Sequence, residues 1–250
     1  MRVFLALLRR ELGTSFKSLT GYVVIAAVLL LNGFSLVDMI TKFNGKGLDA
    51  PVTEVFYQTA YFWVILLLSA PVITMRAFAA EKASGTYETL MTTPVGDWQV
   101  VLAKFAGTLI FFVLTWLPLL AVLLILRQIT GESALFEPRV VAVTLAGIGL
   151  VGALYMAMGC FASALTRSQI IAAMVSFLLG IGLWVLSLRT LLPDPAAGWA
   201  ERLLATASIV RHMEDFARGV VDARHVVFLL SLTWLFLFLT HRVVQSRRWK

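Results

Sequence analysis

Charge is scarce in this chain. Of its 250 residues, Asp, Glu, Lys and Arg together make up 14%, against roughly 25% in soluble domains. Cysteine is scarcer still: the single Cys160 allows no internal disulfide and no multi-cysteine metal site. Three histidines, His212, His225 and His241, stand apart from one another in sequence. What fills the chain is apolar, at 60% before its 17 glycines are counted, with mean hydropathy +0.88. A soluble fold of this length has too little polar surface to cover so much apolar material, so the sequence describes a protein embedded in a membrane. The net charge of +7 then fits basic residues flanking the spans beside an anionic leaflet, rather than nucleic-acid binding.

A helical run of about 20 apolar residues crosses a hydrocarbon core of ~30 Å. Six stretches qualify: Gly21–Ile40, Val55–Met75, Val100–Leu126, Val140–Leu165, Ile170–Leu188 and Val226–Val244. They are continuously apolar rather than alternating, which excludes a β-barrel. Lys104, the single charge of the third stretch, stands close enough to its end to snorkel into the interface. Pro71 and Pro118 are expected to kink their helices.

An even number of spans puts both termini on one side. Leaving aside the five arginines of the long connection between the fifth and sixth spans, the terminal side collects twelve Lys and Arg residues against four on the other. Both termini are therefore expected in the cytoplasm. The first twenty residues lack the short apolar run and cleavage site of a signal peptide and are expected to be retained. Phe4, Leu8, Leu12 and Phe16 recur every four residues with Arg9, Arg10 and Lys17 off that stripe. The pattern suits an amphipathic helix lying in the interface, or else an extension of the first span.

Buried ionisable groups would be the first sign of catalysis or ion coupling within the membrane. Asp38 lies near a span end, Asn32 is a lone amide, and no span pairs an acid with a base. Ser69, Ser163 and Ser176 are candidate nucleophiles, but every histidine lies outside the spans or at their edges. In the fourth span, Gly149-x3-Ala153 and Gly159-x3-Ser163 are spacings that let helices pack closely.

Two connections are long. In 76–99, Gly85 can end one helix and Thr86 can cap a short second one reaching Met91; Asp97 can cap the third span. Tyr87, Leu90 and Met91 share a face of that short helix, with Glu88 off it, and the face packs either on a partner or back on the bundle. In 189–224, Pro193 and Pro195 force a break, and helices are expected over Trp199–Ala207 and Ile209–Ala217, the latter ending at Gly219. No phosphate-cradling loop occurs, because Gly45-Lys46 lacks the earlier glycine such a loop needs.

Glu81-x3-Gly85-Thr86-x-Glu88-x-Leu90, followed by Thr93-Pro94-Val95 and Lys104, resembles the first cytoplasmic loop of ABC-2-type permeases. Glu214–Asp222, Phe236–Thr240 and Arg247-Arg248-Trp249 resemble the gliding-motility-associated branch, with His225 where an acidic residue is expected. The resemblance implies an all-α polytopic fold spanning 1–250 as one transmembrane domain. Its parts are an N-terminal interfacial helix (1–20), six transmembrane helices, a cytoplasmic coupling loop (76–99) and short helices in the last extracytoplasmic connection (189–224). It further implies a permease subunit, not itself an enzyme, that couples ATP hydrolysis by two separate cytoplasmic ATPases to export or to a conformational signal. ATP and Mg would belong to those partners, and no cofactor to this chain. Glu81, Gly85, Thr86, Tyr87, Glu88, Leu90 and Met91 would form the ATPase contact. Further partners would be a second permease copy or a paralogue, membrane lipids and an accessory periplasmic protein, in a bacterial inner membrane. A membrane-embedded enzyme or an ATP-independent channel or carrier is the rival reading.

Overall fold

The computed structural model describes residues 2–43, 51–87, 95–130, 137–189 and 206–246. They form α1 (Arg2–Phe16), α2 (Leu19–Phe43), α3 (Val52–Gln58), α4 (Ala60–Thr74), α5 (Ala79–Ser84), α6 (Asp97–Trp116), α7 (Pro118–Thr130), α8 (Pro138–Leu165), α9 (Gln169–Arg189), α10 (Ile209–Ala217) and α11 (Ala223–Ser246), with no strand among the described residues. Among the described residues six helical stretches are long and apolar enough to cross a membrane: Leu19–Thr41, Ala60–Ser84, Asp97–Gln128, Pro138–Leu165, Gln169–Arg189 and Ala223–Ser246. The chain is a polytopic, all-helical membrane protein.

Punctuation in the sequence accounts for the boundaries. Val55–Gln58 belong to α3 rather than to the second span, because the extended backbone of Thr59 separates α3 from α4. Pro118 opens α7, and the turn at Leu117 divides the third span; the proline ring forbids an unbroken helix there. Asp97 does not cap α6. Gly96 holds the cap position, and Asp97 lies in the first turn, where its charge favours the helix dipole. The helix expected over Trp199–Ala207 falls largely on 199–205, outside the described residues.

α8 is the hub. It packs against α4, α6, α9, α10 and α11, and every residue from Val151 to Cys160 is buried. Its glycines set how closely three neighbours approach. A Cβ at Gly147 would stand 2.6 Å from Phe216 of α10, one at Gly152 2.1 Å from Phe112 of α6, and one at Gly159 2.0 Å from Thr74 of α4. Gly149 has open space instead, so the first of the two small-residue spacings makes no close approach at its glycine. Beside the hub, Phe56, Phe62, Trp63, Phe112 and Trp116 interlock in mostly edge-to-face contacts, the arrangement that ring quadrupoles favour.

At Gly159 the neighbour cannot yield, since Thr74 is branched at Cβ and its hydroxyl donates to the Ala70 carbonyl at 2.8 Å. Gly159→Ala is expected to destabilise the purified chain by about 1–3 kcal/mol, the usual cost of overpacking. Gly149→Ala should leave its stability unchanged or slightly raised. Denaturant unfolding in mild detergent compares the two.

Candidate functional site

A buried network of charges and hydrogen bonds sits at the face that carries α1, where the chain leaves α4 and enters α5. Ser163 of α8 organises that exit. Its hydroxyl donates to the Met75 carbonyl and accepts from the amides of Phe78 and Ala79, all at 3.0 Å. Those amides at the start of α5 have no partner within the helix, so a side chain of the hub fixes where the connection begins. Lys82, buried on α5, donates to the Ala164 carbonyl, and its ammonium lies 5.2 Å from the centre of the Tyr87 ring. The helix ends at Gly85, whose φ of 74° is left-handed. A side chain is strained there whatever space surrounds it.

Around α5 four charges close into a ring. Arg10 Nη2 lies 3.0 Å from Glu11 Oε1 and 2.6 Å from Glu81 Oε1; Lys104 Nζ lies 3.1 Å and 2.9 Å from the same two oxygens. Two cations and two anions cancel. Lys104, expected to snorkel to water, is 2% exposed and reaches two carboxylates instead. The cost of burying an ammonium is offset only by such partners. The ring joins three elements distant in sequence: α1 through Arg10 and Glu11, α5 through Glu81, and α6 through Lys104. α1 can approach because Gly107 of α6 faces Glu11, where a Cβ would come within 2.8 Å of the Glu11 Cβ.

The site residues expected from sequence separate in the structure. Glu81 is a ring member. Gly85 makes the left-handed turn, and Thr86, exposed beside it, shares a 2.8 Å hydrogen bond with Ser84. Tyr87 is buried in a cluster with Ala77, Phe78, Val100 and Val101, so its ring packs back on the bundle. Glu88, Leu90 and Met91 lie outside the described residues. Glu11 was not among the expected residues, although one signal was visible: it is the acid on the packed side of an amphipathic helix, in line with Leu8, Leu12 and Ser15.

The connection re-enters the bundle at Trp98, whose indole is sandwiched by two rings of α11. Trp234 lies 5.3 Å away at 9° and His241 4.3 Å away at 10°. Seven residues of α-helix rise about 10.5 Å, which leaves the right gap for one aromatic ring. α11 thus grips the first turn of α6.

The opposite face is closed by α10. Ser208 caps its start, and Gly219, at φ 79°, ends it with bonds from Gly219 N to Phe216 O (3.0 Å) and from Val220 N to Asp215 O (2.9 Å), a Schellman pattern. Hydroxyls of Thr53 and Thr144 donate to its last carbonyls at 2.7 Å and 3.2 Å. Arg218 pairs with Glu54 at 2.9 Å and Glu214 at 2.8 Å. The His212 and His225 rings, thirteen residues apart in sequence, meet at 4.2 Å, and His225 Nδ1 lies 3.4 Å from Asp215. No three potential metal ligands converge among the described residues.

Residues 50–210 match the family described as ABC-2 family transporter protein. No curated protein matches the chain.

Burial, and next the neighbouring charge of His225, push the His212 imidazole down to about 4 from its ordinary 6.5; the ring is 1% exposed and hydrogen-bonds the Thr206 carbonyl at 3.0 Å. Between those two values the unfolded chain binds a proton that the folded chain refuses. The contribution is full above pH ~6.5 and is lost as pH falls toward 4, with a slope of at most about 1.4 kcal/mol per pH unit. Unfolding measured from pH 4 to 7 should show this slope, and His212→Phe should flatten it.

Proposed function

Because the chain belongs to the ABC-2 family of transporter proteins, we propose that it is the permease subunit of an ATP-driven exporter whose cytoplasmic ATPases dock on segment 76–99. On this reading the face carrying α1 is cytoplasmic, the membrane is a bacterial inner membrane, and α10 covers the outer side. ATP and Mg are held by the ATPase subunits, two per complex. Two permease copies assemble, in keeping with the exposed apolar faces of α2 and α9, such as Leu29, Leu30 and Phe34 on one and Met174 and Leu178 on the other. The C-terminal stretch Glu214–Asp222 supports placement in the gliding-motility-associated branch.

One observation carries the coupling role: the neutral ring of Arg10, Glu11, Glu81 and Lys104. A displacement of α5 would be passed to α1 and α6 together, because the ring cannot open on one side without leaving a buried ammonium underpaired. Ser163 carries the same displacement to α8, and the stacked Trp98 carries it to α11. A loop held this firmly behaves as a lever rather than as a tether.

Glu81→Gln keeps the side chain's shape but leaves the ring one positive charge in excess, and Gly85→Val forbids the left-handed turn. In the assembled complex each variant is expected to lower permease-dependent ATP hydrolysis about five-fold or more, the low end of typical coupling energies. Copy numbers should stay normal, since Glu11 still pairs Lys104 and neither change removes an apolar side chain. Full coupling in both variants would move the ATPase contact elsewhere.

Orientation is tested separately. In a Cys160→Ser background, a membrane-impermeant thiol reagent applied to intact cells should label Val221→Cys, which is 59% exposed, and spare Ser84→Cys. The reverse pattern would invert the topology.

A further inference from the structure

We propose that the elbow between α1 and α2 is a binding site for the phosphate of an anionic glycerophospholipid drawn from the leaflet on the α1 side. Arg9, Arg10, Lys17 and Arg76 line one groove there, with Thr14 and Ser18 between them. Arg10 is committed to the charge ring. Arg9 and Lys17 are exposed and meet no carboxylate among the described residues, and Arg76 donates only to the Thr20 hydroxyl, at 3.0 Å. Glu11, the acid beneath them, is held by Arg10 and Lys104. Three cations with no carboxylate partner among the described residues, two from α1 and its end and one from the exit of α4, thus face one opening. Their mutual repulsion is relieved by an anion, and phosphate oxygens accept several such donors at once.

The surroundings select a lipid over a soluble anion. The groove shares Thr14, Ser18 and Arg76 with a cavity of about 60 Å³, room for several water-sized groups. The lining of that cavity is mixed: Val24, Val72 and Phe111 stand beside Glu11, Thr20 and Thr108. Outside the groove the rim is apolar and open: Leu19 is 80% exposed, Tyr22 63% and Val23 58%. A cationic pocket set in an apolar rim at the end of a span matches a headgroup whose acyl chains run down the adjoining helix. The elbow itself is tight. A Cβ at Gly21 would stand 2.1 Å from the Ser15 carbonyl oxygen, so the two helices close over the groove only with glycine there.

The test uses the full chain in neutral detergent, titrated with phosphatidylglycerol, phosphatidylcholine or inorganic phosphate and followed by native mass spectrometry. One phosphatidylglycerol should be held in preference to phosphatidylcholine, with inorganic phosphate failing to displace it. Each basic residue near an anionic surface is worth about five-fold in affinity, so the pair Arg9→Gln/Lys17→Gln should weaken phosphatidylglycerol roughly thirty-fold. Neither side chain has a partner among the described residues, so folding is preserved. Arg242→Gln, which removes one positive charge from the same side of the bundle on α11, should leave binding as it was. Equal affinity for phosphatidylcholine, displacement by inorganic phosphate, an unchanged affinity in the pair, or an equal loss in Arg242→Gln would each overturn the proposal.

Discussion

An ammonium group buried to 2% exposure near the end of an apolar helix has to be neutralised on the spot or give up its charge. Lys104 is neutralised by Glu11 and Glu81, and two carboxylates around one ammonium require a second cation, which Arg10 supplies. That requirement fixes the relative positions of α1, α5 and α6. It also explains Gly107, which lets α1 lie close on α6.

Elsewhere the bundle is held by close approach and shape. Lipid tails are as apolar as leucine, so helices gain little from burying apolar surface against one another and depend on contact distance. Gly147, Gly152 and Gly159 give α8 that contact with α10, α6 and α4 in turn. Ser163, one turn beyond Gly159, adds hydrogen bonds that a purely apolar helix could not offer. The same helix thereby supplies both the packing hub and the anchor of the connection at its end.

The two faces of the bundle are built differently. The face carrying α1 exposes Arg9, Lys17 and Arg76, which meet no carboxylate among the described residues, beside exposed apolar residues such as Leu19 and Tyr22, which suits contact with lipid and with a partner. The face under α10 is tied to its neighbours: a capped helix whose last carbonyls are met by Thr53 and Thr144, with Arg218 at its end met by Glu54 and Glu214.

Local chemistry made much of this architecture legible from the residues in order. Length and apolarity define six spans, because a helix must satisfy its own backbone in hydrocarbon. Gly85 and Gly219 mark helix ends, because left-handed backbone is strained for other residues; α10 begins and ends where Ser208 and Gly219 put it. Pro118 divides the third span for an equally local reason. The misjudged residues are those whose state depends on elements far away in the chain. Lys104 reads as a snorkelling lysine until α1 brings Glu11 beside it. His212 and His225 read as separate until α10 folds onto the start of α11. Periodicity reports which face of a helix is apolar, but it carries no information on which distant face will meet it. The partners of the buried charges, and with them the character of the site, were therefore settled only by how the helices pack.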